Sequence, residues 1–213
     1  SVKTPSKFII IAVCLGLSVT TIKAAQLYSP KISINDTKLD GKHYSLLPTA
    51  VGEQLITAVM NNNIAEIQQL QSDGVDIDTP AIGDGTALII AVKEDNVQMV
   101  QALIDLGANV DQSSRGDGNP LISAAMTNNL ELAQLLIDNG ANVNAIVPRD
   151  ETALINASRR GYFSMAKLLI NAGADVNLSV QTGLSDGRVI RSPLNMAPTT
   201  EIRNFLIENG AVN

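Results

Sequence analysis

The positions of apolar residues repeat along this chain at a fixed distance of 33 residues. The repeat is clearest for one leucine and one glycine, at Leu55, Leu88, Leu121 and Leu154 and at Gly74, Gly107, Gly140 and Gly173. Such a period is typical of short structural units stacked in a row, each of which buries its apolar side against its neighbours. The pattern therefore predicts a repeat array rather than a domain with one central core.

Each unit carries the signals of two short helices. The second helix is marked by apolar residues at helical spacing, Val97, Val100, Leu103 and Ile104 in one unit and Leu130, Ala133, Leu136 and Ile137 in the next. This spacing predicts one buried stripe along the helix. Thr86 and Thr152 are suited to cap the first helix, and Pro120 and Pro193 suit its first position. The repeated glycine predicts a left-handed end to the second helix.

The sequence of the unit resembles the ankyrin repeat. DGTALIIAVKEDNVQMVQALIDLGAN at 84–109 recurs in variant form at 117–142 and 150–175, and follows the family pattern G-x-T-P-L-H-x-A-A, a turn, a second helix and G-A-x-x-N. The resemblance covers about residues 52–213. It implies an all-α, ankyrin-type α-solenoid in which helix–turn–helix units are joined by short β-hairpin loops. We count five units, at 52–83, 84–116, 117–149, 150–190 and 191–213, of which the outer two are degenerate caps.

Two features depart from the family pattern. The histidine of T-P-L-H is replaced by isoleucine, at Ile56, Ile89, Ile122 and Ile155. The polar link that this histidine supplies in the family must therefore come from elsewhere or be absent. The turn between the two helices contains Asn62, Asp95, Asn128 or Gly161. Because these residue types tolerate a positive φ, we expect the turn to be preserved.

The last unit breaks the period. Leu194 follows Leu154 by 40 residues instead of 33, which adds seven residues to the preceding hairpin, at 178–191. Inserted loops of repeat proteins lie on one face of the array, which is often the binding face. The alternative is that this segment folds over the final helices and closes the end of the stack.

The N-terminal region has a different composition. Lys3 and Lys7 precede an apolar run at 8–19, and small residues follow near residue 24, as in a secretory signal peptide. Residues 1–24 are thus predicted to be a signal peptide or, alternatively, a membrane anchor through residues 8–22. Residues 25–51 read as a polar tether. We expect a periplasmic or secreted protein, or one anchored in a membrane with the array outside the cytoplasm.

Charge and residue usage exclude several functions. Residues 1–24 hold three lysines and no acidic residue, so the remainder carries 12 basic and 21 acidic residues, a net charge of −9. That balance argues against binding of nucleic acid, which needs a clustered positive surface. His43 and Cys14 are single and lie outside the array. We therefore expect no catalytic residue, no cofactor and no metal site, and the chain is not predicted to be an enzyme.

The expected activity is the binding of another protein. Arrays of this family present a concave face formed by the hairpins and the exposed side of the first helices. By repeat position, that face should include Thr57, Met60, Asn61, Ile90, Lys93, Glu94, Ser123, Met126, Thr127, Asn156, Arg159 and Arg160. Acidic hairpins near its N-terminal end oppose a basic cluster near the C-terminal end, formed by Arg149, Arg159, Arg160, Arg188 and Arg191. We expect the array to be monomeric, and a partner of opposite polarity would be oriented by this charge gradient.

The segments GDGNPLI, PRDETALI and DGRVIRSPL are similar to ankyrin arrays attached to some bacterial membrane metallopeptidases of the beta-lactam-receptor type. The chain contains no H-E-x-x-H, so this resemblance implies an envelope location and no peptidase activity. Three hypotheses follow: a protein-binding module of the bacterial envelope, a periplasmic immunity or inhibitor protein for a toxin or enzyme, and the ankyrin region of a larger membrane sensor peptidase.

Overall fold

A computed structural model describes residues 38–39, 42–43, 47–81, 83, 85–114, 116–182 and 189–212. The predicted signal peptide or anchor at 1–24, most of the tether at 25–51 and the predicted site residue Arg188 lie outside the described residues. Two compact units are present, Ser1–Ala50 and Val51–Asn213. In the first, strands β1 (Lys38–Leu39) and β2 (Lys42–His43) form a two-stranded antiparallel sheet.

The second unit contains the repeat array, and its described residues form five helix pairs. The helices are α1 (Leu47–Met60), α2 (Ile64–Ser72), α3 (Ala87–Lys93), α4 (Val97–Asp105), α5 (Pro120–Thr127), α6 (Leu130–Asp138), α7 (Ala153–Arg160), α8 (Phe163–Asn171), α9 (Pro193–Met196) and α10 (Thr200–Glu208). α1 begins before residue 52, the predicted start of the first unit. The first helix of the fifth unit, α9, has only four residues. No helix of the described residues is both long enough and apolar enough to cross a membrane.

The helix boundaries follow from capping chemistry. Thr86 and Thr152 accept a hydrogen bond from the third residue of α3 and α7, as the sequence predicts. Most second helices are capped by an asparagine side chain instead, at Asn63, Asn96 and Asn129. The turns between paired helices have the expected left-handed residues, at Asn62, Asp95, Asn128 and Gly161. The sequence thus specifies most helix starts and these four turns locally.

The core is a column of small and aliphatic side chains that runs through successive units. α3 packs on α5, α5 on α7 and α7 on α9, while the second helices α4, α6 and α8 pack on one another in the same order. The repeated leucine is at most 4% exposed in every unit, at Leu55, Leu88, Leu121, Leu154 and Leu194. Burial of one such side chain contributes about 1.5–3 kcal/mol, so the repeated column supplies a large part of the stability.

The predicted stripe on the second helix is wrong in one respect. Leu130 is 38% exposed, whereas Leu132 is fully buried, and the buried set in α6 is Leu132, Ala133 and Leu136. Leu130 is the first helical residue, directly after the Asn129 cap, and the core-facing side is reached only after that first position. α4 shows the same arrangement, with Met99, Val100 and Leu103 buried.

A ladder of Asp and Asn side chains, which we call the end ladder, joins the ends of successive units. The backbone N–H groups of Asn109, Asn142, Asp175 and Val212 each donate to the side chain of Asp78, Asp111, Asn144 or Asn177 of the preceding unit. The last three bonds measure 2.8–2.9 Å. Each acceptor is held by an Asx turn to the residue two positions before it, so it is placed to reach the next unit.

A second ladder links the helix–helix turns of the first three units. Asn96 Nδ2 donates to Asn62 Oδ1, and Asn129 Nδ2 donates to Asp95 Oδ1. In the fourth unit Tyr162 stands at the corresponding cap position and makes no capping side-chain bond. This turn ladder therefore ends between the third and fourth units.

A hairpin precedes the first helix of each of the second to fifth units, and each hairpin takes the number of that unit. Three of these hairpins are closed by a single bridge, Ala81 to Gly85, Ser114 to Gly118 and Val147 to Glu151. In the third and fourth units the residue after the isoleucine supplies a polar link to the hairpin, whereas the second unit has Ile90 at that position. Ser123 Oγ donates to the Asp117 carbonyl at 3.1 Å, and Asn156 Nδ2 donates to the Asp150 carbonyl at 2.6 Å.

The insertion before the last unit widens its hairpin. Strands β3 (Val180–Thr182) and β4 (Val189–Arg191) pair antiparallel over three residue pairs, in place of a single bridge. The side chain of Asn195, at the start of the final helix pair, donates to the carbonyl of Ile190 at 2.7 Å. The base of the inserted segment is thus an ordered extension of the repeat hairpin.

The first test of this packing is Gly52→Ala. Gly52 lies within α1, and a Cβ there would lie 2.6 Å from the carbonyl carbon of Pro80 in the following hairpin. Replacing a helical glycine by alanine normally stabilises a protein by about 0.5–1 kcal/mol. Here we expect destabilisation by about 1–3 kcal/mol because backbone must move to admit the methyl group. Urea unfolding of the two proteins measures the sign, and a gain in stability would contradict this packing.

The second test uses the first rung of the end ladder. Burial raises the pKa of Asp78 above its ordinary 3.8; the Asn109 N–H lowers this pKa, and the charge of Asp76 raises it. The contribution of Asp78 to stability is therefore present below pH 3.8 and is lost as the pH rises through the folded-state pKa. Asn144 and Asn177 accept the equivalent hydrogen bonds in later units, and an asparagine side chain does not titrate. We expect Asp78→Asn to gain more stability near pH 7 than near pH 3, measured by urea unfolding at both values; an equal effect would contradict the assignment.

Candidate protein-binding surface

The surface expected to bind a partner is formed by the last turns of the first helices together with the hairpins; we call it the first-helix face. Successive units place equivalent residues side by side because their first helices pack on one another. One row consists of Met60, Lys93, Met126 and Arg159, and the next row of Asn61, Glu94, Thr127 and Arg160. All eight residues belong to the face that the sequence predicted to contact a partner.

Two methionines are the exposed apolar groups in the helical rows of this face. Met60 is 63% exposed and Met126 is 37% exposed, although both belong to helices whose other apolar residues are mostly buried. A methionine side chain is unbranched and polarisable, so it adapts to different partner surfaces. These two residues can therefore contribute apolar contact area without a preformed pocket.

Several charged residues lie around the methionines. Lys93 forms an ion pair with Asp117 of the next hairpin, and Glu94 is exposed at the end of α3. Arg160 is exposed, with Nη1 donating to Asn156 Oδ1 at 3.2 Å, and Arg149 is exposed in the fourth hairpin. Lys93 is thus engaged within the array, whereas Glu94, Arg149 and Arg160 remain accessible to a partner.

Two arginines of the predicted basic cluster have an internal role. Arg159 and Arg191 both form ion pairs with the carboxylate of Glu151, whose side chain is 1% exposed. We call these three residues the Glu151 clasp. Because the clasp joins the fourth hairpin, α7 and strand β4, it fixes the base of the inserted hairpin on the preceding unit. The prediction that Arg159 and Arg191 are partner-binding residues therefore competes with a structural role that the sequence did not reveal.

Glu151 stands at a position that the two preceding hairpins give to glycine. Gly85 and Gly118 have φ values of 84° and 71°, and Glu151 has a φ of 67°. Arg149 likewise has a φ of 78°, where the equivalent Gly116 has 92°. A non-glycine residue in this region costs about 1–2 kcal/mol. The ion pairs of the clasp offset that strain for Glu151. The break in the glycine column at 151 was the one sequence signal that could have revealed the clasp.

Two residues expected on the exposed side of the first helices are buried. Ser123 and Asn156 are each 3% exposed. Their side chains turn inward to hold the preceding hairpin, through the bonds to the carbonyls of Asp117 and Asp150. They therefore shape the first-helix face but are not available to a partner.

The hairpins add exposed apolar residues that sequence reasoning missed. Ile146 is 49% exposed beside the bridge of the fourth hairpin, and Ile190 is 53% exposed in strand β4. Both precede a residue that is tied to the array, Val147 by the hairpin bridge and Arg191 by the clasp. Their backbone positions are thus fixed although their side chains are free to make contacts.

The side of the array formed by the second helices has fewer features suited to binding. A shallow groove of about 410 Å³ lies between α6 and α8, lined by Gln134, Ile137, Ser164, Lys167, Leu168, Asn171 and Ala172. Its mixed lining holds no group of residues suited to acid–base or nucleophilic chemistry. Among the described residues, no cluster of three or more His, Cys, Asp or Glu side chains is arranged to hold a metal ion.

The stacked helix pairs, the hairpins and the end ladder recur with the same geometry in each central unit. A family model of ankyrin repeats, built on three copies, matches residues 55–147 and 111–180. The chain belongs to the ankyrin repeat family. Its all-α solenoid is the architecture that the sequence predicted, and ankyrin repeats are generally protein–protein interaction modules without catalytic activity. No curated protein matches the chain at a significant level.

The internal role of the clasp can be tested by removing either side of it. Changing both Arg159 and Arg191 to Gln leaves a buried carboxylate without a cation, which we expect to cost about 3–5 kcal/mol. Glu151→Gln leaves two arginines that are 32% and 35% exposed, so we expect a smaller cost of about 1–2 kcal/mol. Urea unfolding measures both.

Arg160→Gln is the matched control, because Arg160 is adjacent to Arg159 but exposed, and its removal should change stability by less than about 0.5 kcal/mol. If the double arginine variant is as stable as the control, Glu151 is not held by the clasp, and both arginines are free for a partner.

Proposed function

We propose that this array is a non-catalytic module of a bacterial envelope protein and that it binds another protein through the first-helix face. The observation that carries the proposal is the exposure of Met60 and Met126 on that face, at 63% and 37%. Protein interfaces are enriched in methionine and aromatic residues, and the residues that dominate binding become fully buried within a ring of contacts that exclude water. On this face, Glu94, Thr127 and Arg160 would supply the polar surroundings.

The charges of the face favour one orientation of the partner. The clasp neutralises part of the basic cluster, so the accessible positive charge among the described residues of that cluster comes from Arg149 and Arg160. Exposed acids such as Asp76 and Glu94 lie toward the other end. Complementary charges on a partner would raise the rate of association and fix its direction along the array.

The envelope location is proposed from the sequence. The lysines and apolar run of residues 1–24 have the arrangement of a signal peptide or anchor, and three segments of the array are similar to arrays of membrane sensor peptidases. In the periplasm an array without cysteine in its repeats forms no disulfide. A fusion of residues 1–51 to alkaline phosphatase, which is active only after export, tests this part separately.

The binding surface can be tested by photo-crosslinking in cells that produce the protein. A photoreactive amino acid at position 126 should crosslink a discrete partner, whereas the same group at Gln134, exposed on the second helix α6, should not. With the purified partner, changing Met60 and Met126 to Asp should raise the dissociation constant at least about tenfold, which is a loss of ~1.4 kcal/mol of binding free energy. Isothermal titration calorimetry measures this change.

Gln134→Asp is the control and should leave the affinity within about twofold. Crosslinks that form from position 134 and not from 126 would place binding on the other side of the array and refute the proposal. The identity of the captured protein also separates two more specific roles. A toxin or enzyme that loses activity on binding would indicate an immunity or inhibitor protein, and a membrane peptidase would indicate a sensor assembly.

A further inference from the structure

Successive hairpins present an aspartate to the first helix of the preceding unit. Asp117, in the third hairpin, forms an ion pair with Lys93, the last residue of α3. Asp150 is the equivalent residue of the fourth hairpin, 33 positions later, and the residue equivalent to Lys93 is Met126. Both hairpins therefore have the aspartate, but the residue equivalent to the pairing lysine is a methionine beside Asp150.

The two aspartates are held in the same local frame. The N–H of Asp117 donates to Ser114 O at 3.2 Å, and that of Asp150 donates to Val147 O at 3.0 Å. Both backbone carbonyls accept a side-chain hydrogen bond from the following helix, from Ser123 and Asn156 respectively. The hairpins around them are closed by equivalent bridges. The Asp150 carboxylate is thus placed toward α5 as the Asp117 carboxylate is placed toward α3.

The carboxylate of Asp150 is not satisfied within the described part of the chain. Its Oδ2 is buried and accepts no hydrogen bond from the described residues. A buried polar oxygen without a donor destabilises the folded state. The adjacent Glu151 is already paired in the clasp with Arg159 and Arg191. Of the nearby cations, Arg149 is exposed in the turn and Arg160 bonds to Asn156.

We propose that the junction of Asp150 and Met126 is a subsite for a lysine side chain of the protein partner. The ammonium group would occupy, beside Asp150, the place that the Lys93 ammonium occupies beside Asp117. The aliphatic part of the lysine would lie along the side chain of Met126, which is 37% exposed and flexible. This inference rests on the proposed protein-binding function and adds the chemistry of one contact: a primary ammonium on an unbranched alkyl chain.

The first test supplies the lysine from within the chain. Met126→Lys should form an ion pair with Asp150 like the pair of Lys93 with Asp117. Adding Asp150→Asn should therefore lower the thermal midpoint of the Met126→Lys protein by about 2 °C more than it lowers the midpoint of the Met126→Gln protein. Thr127→Lys adds the same charge one residue away and serves as the control, in which Asp150→Asn should have no such extra effect. Equal losses in the Met126→Lys and Met126→Gln backgrounds would overturn the proposal.

The second test uses n-butylammonium chloride as a model of the lysine side chain. In the wild-type protein with ¹³C-labelled methionine methyl groups, it should shift the Met126 resonance saturably at constant ionic strength, and n-butanol should not. Asp150→Asn should weaken this binding at least about threefold, and Arg149→Gly, which removes the nearest exposed like charge and restores the residue type of Gly116, should strengthen it. Equal binding of butanol, or no effect of Asp150→Asn, would overturn the subsite.

Neither measurement involves a protein partner, so their results are separable from those of crosslinking. If butylammonium does not bind while position 126 crosslinks a partner, the lysine subsite is wrong and the protein-binding function stands. If butylammonium binds through Asp150 while no partner is captured at 126, the subsite stands as a cation site and the proposed function is wrong.

Discussion

Every other feature of the array depends on the burial of each unit's apolar side against the next unit. A helix pair of this length cannot enclose its own leucine, and the stack solves this by giving each leucine a neighbour on both sides. The requirement fixes the rise from unit to unit, because the helices must approach at the spacing of small and aliphatic side chains. Hairpins, caps and side-chain ladders are then repeated at the same interval, and so are the positions at which the surface can vary.

Most of the fold follows from local signals that a periodic sequence makes visible. Thr86 and Thr152 cap helices because of their own chemistry, and Asn62 and Gly161 accept a positive φ for the same reason, so both could be predicted from position alone. The errors arise where tertiary contacts decide. Leu130 is exposed because it occupies the first turn after a cap, and Asn156 is buried because it reaches back to a hairpin six residues away.

The binding surface was harder to predict than the fold for a related reason. Repeat position correctly brings the first-helix residues into rows, but it does not tell which charges are already paired. The link between Glu151 and Arg191 spans 40 residues and crosses the inserted segment, where the period no longer gives the register. Arg159 shows the same difficulty at short range, since its partner is a glutamate at a position that the preceding units give to glycine. In the structure Lys93, Arg159 and Arg191 are already paired within the array. Fewer of the described charged residues are therefore accessible to a partner than the sequence suggested.

The turn ladder that ends at Tyr162 has a mechanical consequence. Between the first three units the stack is fastened on two sides, by the end ladder and by bonds between neighbouring turns. At the step from the third to the fourth unit the end ladder continues through Asn144, and the shallow groove between α6 and α8 opens beside it. Because this step lacks the turn ladder, we expect it to bend more readily than the two steps before it. A partner that spans it would then change the curvature of the solenoid without separating the buried leucines.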